Sequence, residues 1–531
     1  MSGFAGTGAL VRLAARRDRV SVLASIVALA VLVAGSARAT FDLYPDAGAA
    51  LADLSDVLTN PALLAIYGPL SDPRSLDALA TFKTVLLGAV LLCILAYAVV
   101  RRHTRTEEEE GRLELLGAGV VGRRAPLAAA VLLGTAAVLL TALVTAVAAV
   151  RVGLDPRGSV ALGVSWVLVG LTWVGVAAVA AQLTSTSRGA AGFALGALGL
   201  AYLVRAVGDT APEGSALGLL VWLSPLGWGE QVAPYGANRL WLAALGVALY
   251  AALVLLAFRL LERRDLGSGI LGSRAGPARG DLGTSADLAR RLARGTVIGW
   301  VVGFAIAGVV VGSLAASVES FAQSPQMVDL LRRMGGIGGA LVDTYFATEL
   351  GFTAVVAAAL GVTLAVRLRS EEVGSRAEVV LASGATRVRW AAGHVLVAAA
   401  GTVLVMAVLG VAMGVVRGVQ VGDVPRTVGT LLAAALLQLP AIWVCIGVVT
   451  ALFGLAPRWT ALAWAVLLLF FALGELGSLL GIPEAVRNAS PFVHVPRLGQ
   501  PVEALPLVVL ALVAGLLVAV GLLAFRRRDL A

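Results

Sequence analysis

Two short stretches concentrate the residue types that could do chemistry. Glu107, Glu108, Glu109 and Glu110 are followed by Arg112 and Glu114, and far along the chain Glu371 and Glu372 are followed by Arg376 and Glu378. Glu108 to Arg112 and Glu372 to Arg376 are i, i+4 pairs with the acid first, the favourable order on a helix, each worth about 0.2–0.5 kcal/mol. Acids at a helix start also suit its dipole. Leu113 with Leu116, and Val373 with Ala377 and Val380 or Leu381, supply an apolar stripe at helical spacing. The pattern predicts two short amphipathic helices that dock on a partner and transmit a push. The other reading is a solvated loop that only sets topology. No paired catalytic groups accompany them, so an enzyme is not expected.

The remaining reactive residues narrow the field. The one lysine, Lys83, lies between Phe82 and Thr84, so no Gly-x-x-x-x-Gly-Lys-Ser/Thr phosphate loop can exist in this chain. Gly117, Gly119 and Gly122 match G-x-G-x-x-G in letters alone. They follow a helix where a dinucleotide site needs a strand, and they run into an apolar span. His103, His394 and His494 fall on different levels, and Cys93 and Cys445 sit inside apolar runs. Neither a metal site nor a disulfide framework follows, and no cofactor is expected in this chain. Polar residues at membrane depth are functional candidates by default. Glu475 is the best placed, with Gln182, Gln438 beside Pro440, and Arg205 after it. Glu475 could equally be an outer-end carboxylate that reaches water, and Gln438 a local helix-bend partner.

The elements that must position these residues are membrane spans. Apolar residues make up 59% of the 531 residues and charged ones 14%, against about 45–50% and about 25% in soluble proteins; the mean hydropathy is +0.92. Each long apolar run should be a helix, since irregular backbone cannot face lipid. Spans are expected near 20–37, 79–100, 125–150, 161–183, 190–206 and 240–261, then near 298–318, 350–366, 391–416, 429–455, 460–481 and 506–525. With both termini inside, 28 of the 41 basic residues lie on the inner face and 13 on the outer. That bias predicts cytoplasmic termini in a bacterial plasma membrane. The net charge of +9 is therefore a topology signal, and no nucleic-acid partner is needed. Arg16 to Ala39 mimics a cleaved signal peptide, but its apolar stretch is long for one. The outer segments 38–78, 207–239 and 319–349 are expected to hold interfacial or re-entrant helices.

The chain is also written twice. At a shift of 264 residues Arg105 falls on Arg369, Glu107 and Glu108 on Glu371 and Glu372, Arg112 on Arg376, Arg123 on Arg387, and Arg263-Arg264-Asp265-Leu266 on Arg527-Arg528-Asp529-Leu530. The reading is an all-α protein of twelve spans in two parallel six-span repeats. The first half occupies 1–267, a cytoplasmic linker 268–297, and the second half 298–531.

Glu371-Glu372-Val373-Gly374-Ser375-Arg376-Ala377-Glu378 resembles a motif of the permeases of actinobacterial polyketide-antibiotic exporters, the tetronasin-resistance type of ABC transporter. The first copy is tighter, at Glu109-Glu110-Gly111-Arg112-Leu113-Glu114. Ser224-Pro225-Leu226-Gly227-Trp228-Gly229-Glu230-Gln231 and Glu262-Arg263-Arg264-Asp265-Leu266-Gly267 are similar to that family too. The resemblance implies a permease subunit with two copies of a separate P-loop ATPase, which would carry the ATP and Mg2+. The acidic helices would then be coupling helices, and the cargo a hydrophobic or amphipathic drug moved outward. The alternative is a proton- or ion-coupled secondary multidrug transporter, with Glu475 as its titrating carboxylate.

Overall fold

The computed structural model describes residues 3–44, 48, 61–117, 119, 121–212, 214–272, 282–322, 339–474, 483–496, 498–500 and 502–529. All regular structure among them is helical. The chain divides into two compact units, Met1–Gly276 and Pro277–Ala531.

The first unit contains α1 (Thr7–Leu43), α2 (Pro61–Tyr67), α3 (Leu76–Arg101), α4 (Arg112–Gly117), α5 (Ala125–Arg151), α6 (Pro156–Leu183), α7 (Ser187–Asp209), α8 (Pro225–Gln231) and α9 (Ala243–Glu262). Local sequence explains where several begin. The side chains of Ser75, Asp155 and Thr186 accept from the backbone N–H of Ala78, Gly158 and Gly189, capping α3, α6 and α7. Pro156 then opens α6, where its missing N–H costs nothing. Helix α6 is the centre of this unit, with 78% of its apolar window buried against 17% for the span ending in α9. Its Trp166 packs against Gly88 of α3, where no side chain would fit, and donates its indole N–H to the Val85 carbonyl at 2.9 Å. Between membrane helices of similar polarity, such close approach of small residues is a main source of cohesion.

The second unit contains α10 (Ser285–Ala322), α11 (Gly339–Val373), α12 (Arg376–Ala382), α13 (Arg387–Val421), α14 (Val424–Leu436), α15 (Leu439–Leu455), α16 (Ala463–Gly474) and α17 (Ala504–Arg527). Thr386 and Asp423 cap α13 and α14. Gly454 and Gly521 bring α15 and α17 to backbone contact. Trp390, Phe453 and Phe525 form an aromatic core beneath.

Eleven of the described helices are long and apolar enough to cross a membrane. The expected span at 460–481 corresponds to the shorter apolar helix Leu462–Gly474, and its remaining residues lie outside the described ones. The segment read as a linker, 268–297, is helical from Ser285 onward, because α10 runs unbroken into its span. The expected span 429–455 is interrupted at Leu437 and Gln438, between α14 and α15. Pro440 explains the break, since it cannot donate to the preceding turn. Within 207–239 a 3-10 helix, Ala216–Leu223, precedes α8.

Candidate functional site

The acidic clusters do not form the helices expected of them. Glu107 and Glu108 continue the line of α3 through a π turn at Arg102–Thr106, and Glu371 and Glu372 belong to the last turn of α11. All four are buried. The chain then bends at Gly111 (φ +72°) and at Ser375 (φ +54°), and only afterwards do α4 and α12 begin. This corrects the expected pairing. The i, i+4 pairs Glu108–Arg112 and Glu372–Arg376 are replaced by i, i+5 pairs across the bend. Arg112 Nε donates to Glu107 at 2.6 Å, and Arg376 Nε to Glu371 at 2.8 Å. A left-handed residue inside the interval turns the second side chain back by one position.

Glu108 and Glu372 are thereby freed for a long-range partner that the sequence reading did not assign. Arg264 donates from Nη1 to Glu108 Oε1 at 2.6 Å and from Nη2 to Oε2 at 2.9 Å. Arg528 makes the same two bonds to Glu372, at 2.6 and 2.9 Å. Each clasp joins residues 156 apart. Behind each, a second arginine braces the clasp: Arg123 donates to the carbonyl of Arg264, and Arg387 to that of Arg528, both at 2.5 Å. The bidentate fork fixes direction as well as energy. It ties the end of each unit's last span to the end of its second. The recurring interval of 156 residues is the sequence signal that could have found the pair.

With the clasps closed, the acids divide by role. Glu109 accepts from the backbone N–H of Ser187 at 2.8 Å, capping α7. Glu110, Arg112 and Glu114 remain exposed on the first bend and α4, with Leu115 beside them at 80% exposure. On the second, Arg376 and Glu378 remain exposed, with Val379 at 73%. Ala377 turns inward. Each unit thus shows a short helix with an exposed carboxylate and an exposed aliphatic side chain, mounted on a buried ion pair. Beside α4 lies a cavity of about 350 Å3, bounded by Leu113, Arg123, Gln182, Leu261 and Arg264.

The intramembrane candidates fall in separate places. Gln182 accepts from Arg264 Nε at 2.8 Å, so it supports the first clasp. Gln438 sits, mostly buried, at the break between α14 and α15. Glu475 lies outside the described residues. Arg205 is fully buried and reaches Asp209 and Glu230 from one nitrogen, at 3.0 and 3.1 Å, while its other bonds hold the carbonyls of Leu64, Ala65 and Ile66 in α2. Burial pushes the Glu230 carboxyl well above the ordinary range, against the pull of Arg205. No group of His, Cys, Asp and Glu among the described residues could hold a metal ion.

Eleven apolar helices of spanning length define a multi-pass membrane protein. Residues 282–526 match the family described as multidrug efflux system permease Rv1217c, C-terminal domain. The whole chain is similar to the multidrug efflux system permease protein Rv1217c of Mycobacterium tuberculosis (strain ATCC 25618 / H37Rv), at 41% identity over 533 residues, covering 99% of this chain and 96% of the relative. The chain belongs to this family of multidrug efflux permeases.

Proposed function

We propose that the chain is the membrane subunit of an ATP-driven exporter of hydrophobic or amphipathic drugs, polyketide antibiotics among them, energised by two copies of a separate P-loop ATPase. The observation that carries this is the repeated mount. In each unit a buried arginine–glutamate clasp fixes a short helix whose free face offers a carboxylate and an aliphatic side chain, Glu114 with Leu115 and Glu378 with Val379. A helix so anchored transmits force to the spans it joins, which is what a coupling helix must do. A chain whose one lysine is Lys83 carries no phosphate loop of its own, so ATP and Mg2+ belong to the partner. The matching bonds at the 264-residue shift support twelve spans in two parallel repeats. The basic bias supports cytoplasmic termini. The tetronasin-resistance type is the closer grouping that the Glu371 to Glu378 motif favours.

The test is purification from native membranes with mass spectrometry of what accompanies the chain. A P-loop ATPase at two copies per chain, with drug uptake into inverted vesicles that requires ATP, is the expected result. In that assay Glu114→Lys with Glu378→Lys should abolish uptake and ATPase retention while thermal unfolding stays unchanged. Uptake driven by a proton gradient without ATP would overturn the reading.

A further inference from the structure

Helices α10 and α13 of the second unit run parallel, touching where Ala286 meets Gly393 and again where Gly308 and Gly312 meet Ala412 and Met413. Between these contacts a groove of about 920 Å3 stays open. Its wall on α13 runs from Gly393 to Leu404 and is wholly apolar, and on α10 it includes Val297 and Ile298. Leu396 is 66% exposed and Ile298 51% exposed, which suits hydrocarbon and not water. Twelve helical residues rise about 18 Å, close to the roughly 15 Å depth of one leaflet's hydrocarbon. The mouth of the groove is basic. Arg290, Arg291 and Arg294 line it together with a single acid, Asp287. Arg290 pairs with Asp287 at 3.3 Å, while neither Arg291 nor Arg294 has an ion-pair partner among the described residues.

An exposed apolar wall about one leaflet deep, with two guanidinium groups at its mouth free of ion pairs among the described residues, is shaped for a ligand.

We propose that this groove is a binding site for an anionic glycerophospholipid, with one acyl chain along α13 and its phosphate between Arg291 and Arg294. Guanidinium groups recognise phosphate through paired N–H donors, and basic pockets between membrane helices select acidic headgroups. A neutral zwitterionic lipid would fill the apolar wall but leave both arginines without a net counter-charge. The site is independent of how transport is energised.

The test is native mass spectrometry of the delipidated full chain, titrated separately with phosphatidylglycerol and phosphatidylcholine. Phosphatidylglycerol should be retained preferentially, and Arg291→Gln with Arg294→Gln should lower its retention on the order of tenfold. Ala400→Trp fills the groove without changing charge, and it should lower retention as well. If Ala400→Trp retains lipid as the unaltered chain does, the groove is not the site. Equal retention of both lipids would equally overturn the proposal, as would competition by soluble glycerol 3-phosphate. Monodisperse elution of each variant keeps a loss of binding distinct from a loss of fold.

Discussion

The two units build the same clasp and surround it differently. In the first, every strong donor of Arg264 is used: the fork to Glu108, Nε to Gln182 at 2.8 Å, and Nη1 also to the Ser268 carbonyl. Glu108 gains the backbone N–H of Gly267 at 2.7 Å, and Arg105, itself fully buried, stands 3.2 Å away. In the second, Arg528 lies 5.0 Å from the ring centres of both Phe453 and Phe525, and its Nε has no hydrogen-bond partner among the described residues. The corresponding side-chain exposures are 6% for Arg264 and 17% for Arg528. Both clasps keep a second arginine beside the acid, Arg105 at 3.2 Å and Arg369 at 3.1 Å; the first adds Gln182, and the second adds two aromatic faces. A cation over a ring keeps its attraction through small displacements, whereas a directed hydrogen bond does not. Arg264 is therefore the more rigidly held of the two arginines and Arg528 the more yielding.

The largest effect should come from Arg264→Ala, which leaves the Glu108 carboxylate buried without its partner and should cost about 3–5 kcal/mol. Arg528→Ala should cost less, about 1–3 kcal/mol, because Arg528 is the less buried of the two arginines. Hydrogen exchange over 100–117 and 365–382, measured segment by segment, reads each loss locally. Equal losses would break the comparison. Next in size, Phe525→Leu should cost about 1–2 kcal/mol and loosen only the second clasp. Gln182→Met should cost about 1 kcal/mol and loosen only the first, by leaving Arg264 Nε unpaired. Exchange spreading to the other unit would show that the supports are not separate.

The smallest effect concerns a contrast at the opposite ends of the spans. Arg205 and Asp209 form a buried charged pair in the first unit, and the 264-residue shift places Leu469 and Leu473 at those positions. Burial holds the folded-state pKa of Glu230 above its usual 4.5, so the folded state binds that proton more tightly than the unfolded chain does. Stability from this group is complete below about pH 4.5 and is lost as pH rises through the raised value. Glu230→Gln should flatten that slope in thermal unfolding followed against pH. An unchanged slope would assign it to another group.

Much of the architecture was legible in the residues. Leu, Val and Ala runs of about 20 residues leave helix as the only structure lipid permits, and eleven of the expected spans meet helices of spanning length. The repeated Arg-Thr-Glu-Glu and Arg-Ser-Glu-Glu stretches pointed to the right part of the chain. The detail at that place was not legible. Reading Glu108 with Arg112 assumed one continuous helix, and the positive φ at Gly111 removed it. Glycine at 111 was visible as a break, but Ser375 at the same bend carried no such signal, because serine adopts that conformation only where its surroundings impose it. Glu372 and Glu378 both fall in the stretch expected to dock on a partner. The burial of Glu372 makes its charge reversal a probe of folding, and the exposed Glu378 is the probe of docking.

Composition alone determined that the solvent of this protein is lipid, since no soluble core could hide an apolar share of 59%. Order along the chain determined the helices and the duplication, because helix formation and membrane crossing depend on neighbours within about 20 residues. Only the tertiary structure decided which glutamate each arginine holds and which acids remain free for a partner. It also decided that a groove stays open along α10 and α13. Those outcomes depend on burial and on distances between residues 156 positions apart, where every arginine and every glutamate carries the same charge and position along the chain ceases to distinguish them.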